Sequence, residues 1–545
     1  MMRIMRLAAA AVLPAQIVLL IISAWLNRDQ INSDAVAYIR IAQYYLNLQT
    51  DLMVSGYWGP MLSWLIVPWL LVFDDPLYAA RAAMAVSAVV FLFGGFCVLR
   101  VVRLPDAAII IGTWILAFLG VAWSVDVIAP DLLMAGLLCF GTSWLLSDKW
   151  TANAGTAFGA GIILGVSYLA KAVALPVSAL MLIGLASTNV AVYRISLQQA
   201  IRVTAITGAG FLIVAGPWIG ILSHKYGYPV FSSSGPINHA LVGPPDMDRY
   251  HPVLRIFHKP DTGRVTSWED PTVMPYKYWS PFENVSYAVH QARIIYHNAD
   301  AIVRYLKAFD WLGLGLLSVM FGYLFGTPWR QSLQEERWRW LLIPVVSLSV
   351  IYLPVFAGAV RYYWAAFPFL VAASFGFALS LSSSLFKHHA VQRALALSLV
   401  PLSFVVGNEA LVRKAFDPSA SANRNYLAAK VLADKLRVTG LVGPIASVGP
   451  RHLVGLYLAY LLDTPWFGHM EEVHDPKEIL SSDAALVVLP RGTPTAKQLR
   501  EDPRFTSADK LLFDCKAAIG ALPFEVYLTR SRTANDTCPE SALGH

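Results

Sequence analysis

The stretch Ser33-Asp34-Ala-Val-Ala-Tyr-Ile-Arg-Ile-Ala-Gln-Tyr-Tyr-Leu-Asn47, followed by GYWGPMLSWLIVPWLL over Gly56 to Leu71, decides how the rest of this chain is read. It comes soon after an apolar run from Leu7 to Leu26, opens on an acid and continues in aromatic residues punctuated by proline. Val36, Ile39, Ala42 and Leu46 recur at helical spacing, which predicts an amphipathic helix lying along a membrane interface with Asp34 in its first turn. An acid held just outside a bilayer points to chemistry at the lipid headgroup. Its plain structural role would be to cap that helix, which Asn32 or Ser33 could equally supply.

Composition sets the class. Of 545 residues 56% are hydrophobic and 14% charged, and the mean hydropathy is +0.53, the profile of a polytopic α-helical membrane protein. The formal charge of +7 comes from Lys and Arg at the ends of apolar runs, with no basic stripe. That distribution follows the positive-inside rule and argues against a nucleic-acid partner.

About eleven stretches are long enough to span a hydrocarbon core: Leu7–Leu26, Leu77–Leu99, Ala107–Trp123, Leu132–Ser147, Ala154–Ala170, Ala172–Thr188, Val203–Leu222, Ala308–Phe325, Leu341–Ala357, Tyr363–Leu385 and Ala394–Leu411. With the N-terminus cytoplasmic, every inner connection is basic: Arg3 and Arg6, Arg100 and Arg103, Lys149, Arg194 and Arg202, Arg330, Arg337 and Arg339, then Lys387 and Arg393. The odd count places the segment after Leu411 outside, and the same parity puts Asp34, Asp126, Asp131, Lys171 and Arg361 on the outer face. The first run is read as a retained anchor, since no small-x-small cleavage site follows Trp25.

Two polar regions remain. His224 to Arg304 is rich in Pro, His, Trp and Tyr and is expected to lie, ordered, over the helices. Beyond Arg413 helix and strand signals alternate, with RNYLAAKVLADKLR and HLVGLYLAYLL as helices and LVGPIASVG, DAALVVLP and FEVYLT as strands. This reads as a small outer α/β domain, without a glycine-rich nucleotide fingerprint, serving as scaffold or lid. The organisation expected is therefore residues 1–411 as a membrane module with outer loops 27–76 and 223–305, and residues 412–545 as the α/β domain. Cys515 and Cys538 fall in that domain, where an oxidising compartment permits a disulfide; Cys97 and Cys139 fall within spans.

The candidate site is a set of charges at outer span ends. Asp131, in SVDVIAPDLLMAGLL, follows Pro130 at the start of a span; an acid there also suits the helix dipole, and Asp126 is its neighbouring alternative. Lys171, in GVSYLAKAVALP, sits between two apolar runs, where a cation costs about 2.5–3.5 kcal/mol at a helix centre and less near the interface. Arg361, in AVRYYWAAFP, and Arg81, in DDPLYAARAAM, also lie near outer ends. Each cation alone could snorkel to lipid phosphates. Three on the face where few are expected are better explained by a shared anion. The chemistry that fits is group transfer from a lipid phosphate: a carboxylate takes a proton from the attacking hydroxyl, and Lys and Arg hold the phosphate as charge develops.

At these positions the chain also resembles a known family. SDAVAYIRIAQ, GPMLSWLIVPW, the AAR at Arg81, PDLLMAGLL at Asp131, YLAK at Lys171 and RYYWAAFPFL at Arg361 are similar, in order and spacing over about the first 410 residues, to motifs of the GT-C polyprenyl-phosphate-sugar glycosyltransferases. Within these the likeness is to the lipid A aminoarabinose transferase and protein mannosyltransferase groups. The resemblance implies a GT-C fold in the bacterial inner membrane and inverting transfer from a polyprenyl-phosphate sugar donor to a lipid, glycan or protein hydroxyl acceptor on its outer face. It implies Asp34 as catalytic acid of the first loop, Asp131 as the second acidic position, and Arg361 and Lys171 near the donor phosphate. One departure stands out: mannosyltransferase members often carry two adjacent acids in the first loop, whereas Ala35 follows Asp34 here.

No cofactor is expected. A divalent metal is possible but not indicated: Asp246-Met-Asp248 forms a D-x-D of the kind that arises readily by chance in a polar loop, and His224, His239, His251 and His258 show no zinc-ligand spacing. Two other classes compete. A transporter or lipid flippase would place binding groups near the midplane in repeated halves, and no repeat is visible. A glycan-binding module built on the α/β domain would need only a single anchor.

Overall fold

The computed structural model describes residues 2–249, 251, 255–306, 318–322, 333, 336–355, 358–385, 389–417, 423–450, 453–508 and 523–529. Cys515 and Cys538 lie outside them. The chain forms two compact units, one of Met1–Arg28, Gly59–Val242 and Trp279–Ser421, the other of Asp29–Trp58, Gly243–Tyr278 and Ala422–His545.

The first unit is helical. Its elements are α1 (Met2–Leu26), α3 (Pro60–Leu70), α4 (Pro76–Val101), α5 (Asp106–Asp126), α6 (Asp131–Leu145), α7 (Asp148–Ala152), α8 (Ala154–Ala170), α9 (Ala174–Ala191), α10 (Leu197–Tyr226), α11 (Ser234–Leu241), α12 (Val285–Leu306), α13 (Leu342–Tyr352), α14 (Ala366–Leu385) and α15 (His389–Phe416); α2 (Ser33–Leu46) belongs to the second unit. By length and composition Arg6–Leu26 of α1, together with α4, α5, α9 and α10, can each cross a membrane, and α3, α6 and α8 are shorter apolar helices. This is a multi-pass membrane protein. The expected spans fall on α1, α4, α5, α6, α8, α9, α10, α13, α14 and α15, while the one placed at Ala308–Phe325 lies largely outside the described residues.

Chain punctuation explains the breaks between helices. Pro130 precedes the first residue of α6, fixing φ where the chain needs no donor. Lys171 is extended (φ −152°, ψ 126°), which ends α8 and leaves a short break before α9. Small residues set the packing. A methyl group on Gly161 of α8 would stand 1.9 Å from the Thr207 carbonyl oxygen of α10, and one on Gly210 2.2 Å from the carbonyl oxygen of Phe158. Gly94 of α4 meets Gly136 of α6 in the same way, at 2.0 Å. Such backbone approach is how apolar helices associate where lipid offers no hydrophobic driving force. Gly161→Ala is therefore expected to destabilise the detergent-solubilised protein by about 1–3 kcal/mol through overpacking. Gly208→Ala in α10, where nothing lies within 4 Å, should be neutral or slightly stabilising. Thermal unfolding of the two variants side by side checks this, and equal shifts would refute it.

The second unit is α/β. A six-stranded sheet runs in the order β1-β3-β2-β4-β6-β5, built from β1 (Ile256–Phe257), β2 (Ile445–Val448), β3 (Trp466–Met470), β4 (Leu486–Pro490), β5 (Phe505–Ser507) and β6 (Phe524–Thr529). β2 is parallel to β3 and β4, through crossovers carrying α17 (Val454–Leu462) and α18 (Pro476–Leu480). The outer pairs are antiparallel. α16 (Arg424–Thr439) precedes the sheet and ends at Gly440, whose φ of 67° suits a left-handed helix stop; α19 (Pro494–Glu501) follows β4. Val448, Val487, Leu489, Ile479, Leu499 and Tyr527 form a buried core.

Two segments from earlier in the chain complete this unit. Ile256–Phe257 pairs with Gly468–His469, His258 N donates to the Phe467 carbonyl at 2.6 Å and Trp466 N to that of Val265 at 2.6 Å. The other segment contains α2, whose start is held by Asn423 Nδ2 and Tyr457 Oη donating to the Ile31 carbonyl at 2.5 and 3.3 Å.

Candidate functional site

In the first unit, three of the charges singled out in the sequence converge. Asp131 opens α6 and is 1% exposed. Its Oδ1 accepts from Lys171 Nζ at 2.5 Å, and its Oδ2 is 4.0 Å from Arg361 Nε. Lys171 occupies the break after α8, and Arg361 lies in the 3-10 turn Val360–Tyr363 just ahead of α14. All three therefore sit where a helix starts or stops. The cations are 23% and 20% exposed while the acid is buried. That asymmetry matters: the acid is enclosed while both cations reach the accessible side of the cluster. An ammonium has three N–H donors and a guanidinium five, more than a single carboxylate can engage.

Tyr362, which the sequence reading did not single out, organises this cluster. Lys171 Nζ stands 4.2 Å and the Arg361 guanidinium 5.4 Å from the centre of its ring, and the ring stacks on Tyr352 at 5.3 Å and 11°. An aromatic ring attracts cations, so Tyr362 adds to Asp131 in holding the two near one another. The signal was available in RYYW, where the tyrosine follows the arginine directly.

Arg81 takes other partners. It is 4% exposed within α4 and donates from Nη1 to the carbonyls of Ser124 and Val125 at 3.4 and 3.1 Å, beside Asp126. Asp126 in turn accepts from Lys414 Nζ at 2.8 Å. This set joins the ends of α4, α5 and α15.

Asp34 belongs to the second unit and finds its neighbours there. It sits in the first turn of α2 behind Asn32 at the cap position, is 9% exposed, and accepts from the Trp268 indole Nε1 at 3.4 Å. Trp268 is fixed in turn: Trp58 Nε1 donates to its carbonyl at 2.7 Å, and Trp58, Tyr57 and His251 pack on its ring at 5.0, 5.0 and 4.6 Å. Tyr38 meets Trp58 edge-on. The acid thus lies against an aromatic wall supplied by the Asp29–Trp58 and Gly243–Tyr278 segments.

Behind that wall lies an acid the sequence reading also passed over. Glu269 is fully buried and accepts from Tyr44 Oη at 2.6 Å and from the Val265 and Thr266 amides at 2.9 and 3.0 Å. Arg264 is 3.8 Å away. Thr266 and Glu269 form a capping box around the turn that carries Trp268. Burial pushes the Glu269 carboxyl above its usual range, outweighing Arg40, Arg264 and the Tyr44 hydroxyl, and burial likewise pushes the Tyr44 phenol up. A carboxyl whose value is raised in the folded state stabilises the fold fully below the unfolded value. That contribution is lost as pH rises from the ordinary carboxylate range through the raised value. The melting temperature of the parent relative to Glu269→Gln is thus expected to be highest at acid pH and to fall across that window. A pH-independent difference would refute the assignment.

In the D-x-D, Asp248 accepts from Lys277 Nζ at 2.5 Å. Among the described residues no three His, Cys, Asp or Glu side chains converge as a metal site would require.

No family model matches the chain, and no curated protein matches it. Solved structures do. The crystal structure of ArnT from Cupriavidus metallidurans bound to undecaprenyl phosphate superposes with a TM-score of 0.57 at 13% identity, over 95% of this chain and 97% of that one. The apo state of the same protein gives a TM-score of 0.57 at 12% identity over the same shares. An oligosaccharyltransferase from Archaeoglobus fulgidus, crystallised with zinc and sulfate, gives 0.44 at 13% identity over 89% of this chain and 69% of that one. Over nearly its whole length this chain has the GT-C fold of ArnT.

Proposed function

We propose that this protein is an inverting glycosyltransferase that moves a sugar from a polyprenyl-phosphate donor to a hydroxyl of a lipid, glycan or protein. The observation that carries the reading is the Asp131, Lys171 and Arg361 cluster, a buried acid fronted by two partly exposed cations at helix ends. It is the arrangement an anionic lipid headgroup needs. The fold shared with an ArnT structure that holds undecaprenyl phosphate supports the same donor class here, and does not favour a transporter or flippase.

In this reading Lys171 and Arg361 hold the donor phosphate while Asp131 orients them. Asp34 removes the proton from the acceptor hydroxyl. The acceptor oxygen bonds to the anomeric carbon from the face opposite the phosphate, the bond from that carbon to the phosphate oxygen breaks, and polyprenyl phosphate departs with the electron pair, its charge met by the two cations. We assign Arg81 to the surroundings of the donor as a third cation, acting through the ends of α4 and α5. About eleven spans, a cytoplasmic N-terminus and a periplasmic 412–545 domain in a bacterial inner membrane complete the proposal, with 1–411 as the catalytic module.

The test is sugar release by purified protein from a panel of polyprenyl-phosphate sugars, with phospholipid supplied. Turnover of one donor, lost in Arg361→Ala, supports the transferase. Absence of turnover with every donor, in protein that remains folded, counts against it.

A further inference from the structure

A second concentration of charge lies in the first unit, at the end of α6 remote from Asp131, one helix length or about 21 Å away at 1.5 Å per residue. A cavity of about 180 Å³ opens there, lined by Val101, Leu145, Trp150, Asp148, Arg194 and Arg337 among others. Asp148 is its only acid among the described lining residues. Three arginines that the sequence assigned to one side of the membrane meet on it. Arg337 Nη2 donates to both of its oxygens at 2.6 and 2.7 Å, Arg103 Nη2 donates at 2.9 Å, and Arg194 adds its field from over the Trp340 ring, 5.2 Å from the ring centre. Hydrogen bonds from Arg337, with the charges of Arg103 and Arg194, hold the Asp148 carboxyl below the usual carboxylate range.

Three guanidiniums gather at one carboxylate, and Asp148 is 58% exposed, so solvent or a second anion can share the site. Where one water needs about 10–15 Å³ of such space, this cavity has room for a group of several heavy atoms. It suits a headgroup. Ser147, Thr151 and Asn189 line it beside the apolar residues and the two arginines.

We propose that this cavity is a binding site for the phosphodiester headgroup of an anionic phospholipid, separate from the donor site. Arg194 and Arg337 engage the phosphate, and Asp148 competes with it for the same guanidiniums. A soluble phosphate offers the same charge, but Val101 ends α4, a helix long and apolar enough to cross a membrane, which puts the cavity at the level of lipid headgroups and favours a lipid.

The experiment uses the full-length protein, equilibrated with vesicles of equal phosphatidylglycerol and phosphatidylcholine and then read by native mass spectrometry for retained lipid. Phosphatidylglycerol is expected to be retained in preference. The preference should fall roughly tenfold in Arg194→Ala and Arg337→Ala, the scale of one charge-assisted contact, and rise in Asp148→Asn. Arg100→Ala should leave it unchanged, because that guanidinium packs over Phe96, 5.6 Å from the ring centre, and is not part of the cavity lining. Arg194→Ala keeps the test sound if Arg337→Ala fails to fold. Equal retention of the two lipids, equal loss in Arg100→Ala, or a fall in Asp148→Asn would overturn the proposal. Binding of inorganic phosphate at the same arginines with no lipid preference would overturn the lipid assignment.

Discussion

Asp34→Asn is expected to slow sugar transfer by about 10²–10⁴-fold, the usual contribution of a general base, while leaving the fold intact. Asparagine has the same shape as the carboxylate and still presents an oxygen to the Trp268 indole, which donates to Oδ1 at 3.4 Å. What it loses is the ability to take a proton. The measurement is single-turnover transfer from the donor identified in the panel, with thermal unfolding alongside. A parental rate in a folded variant would remove Asp34 as the base. Trp268→Phe keeps the acid and removes only its indole donor, so its loss should be the smaller of the two. A loss as large as that of Asp34→Asn would show that the aromatic wall, and not the proton transfer, governs the rate.

Asp131→Ala should be the most damaging substitution for stability. The carboxylate is 1% exposed and is the acid between Lys171 and Arg361. Removing it takes this buried counter-charge from both cations, which costs about 3–5 kcal/mol when a buried pair loses one partner. Lys171→Met should cost less, because Arg361 remains beside the acid, yet it should weaken polyprenyl-phosphate binding by about tenfold or more, the scale of one charge-assisted contact. In Asp131→Ala combined with Lys171→Met both charges disappear together, and part of the loss should be recovered. A double-mutant cycle on melting temperature and donor binding reads this directly, with a coupling of about 0.5–3 kcal/mol expected for residues in contact. Additive effects would mean that the 2.5 Å contact carries no energy of its own.

Lys171 was legible because a cation between two apolar runs has few places to go, and Asp131 because an acid after proline marks a helix start. The helices of the first unit were legible for the same reason the protein lives in a membrane: long apolar runs leave few alternatives to a helix. The second unit was only half visible. β2, β4 and β6 announce themselves by β-branched residues, but β3 (WFGHM) has none and a glycine at its centre, and its first four residues are all buried, so no alternation marks it. The two-residue β1 carries too little sequence to be read at all. Tyr44 and Glu269 are 225 positions apart, and Trp268 lies 234 from Asp34. Nothing local reports such pairings, since each residue satisfies its own neighbourhood equally well as an ordinary interfacial aromatic or loop acid. The convergence of Arg103, Arg194 and Arg337 on Asp148 was not legible, because it depends on how the helix ends pack.

The stitching of Ile256–Phe257 onto Gly468–His469 sets a schedule for the chain as it is made. The edge strand emerges first, and its partner follows about 210 residues later. At the usual 5–20 residues per second of synthesis that is a wait of roughly 10–40 s. During that time the turn that carries the indole facing Asp34 has no strand to pair with at Val265 and Thr266, and a backbone edge with open donors and acceptors is exposed to any other extended chain. A nascent protein arrested before residue 466 would carry the aromatic residues around its acid without the strand that ties down their turn through Val265. The last third of the sequence therefore decides when the first loop becomes competent.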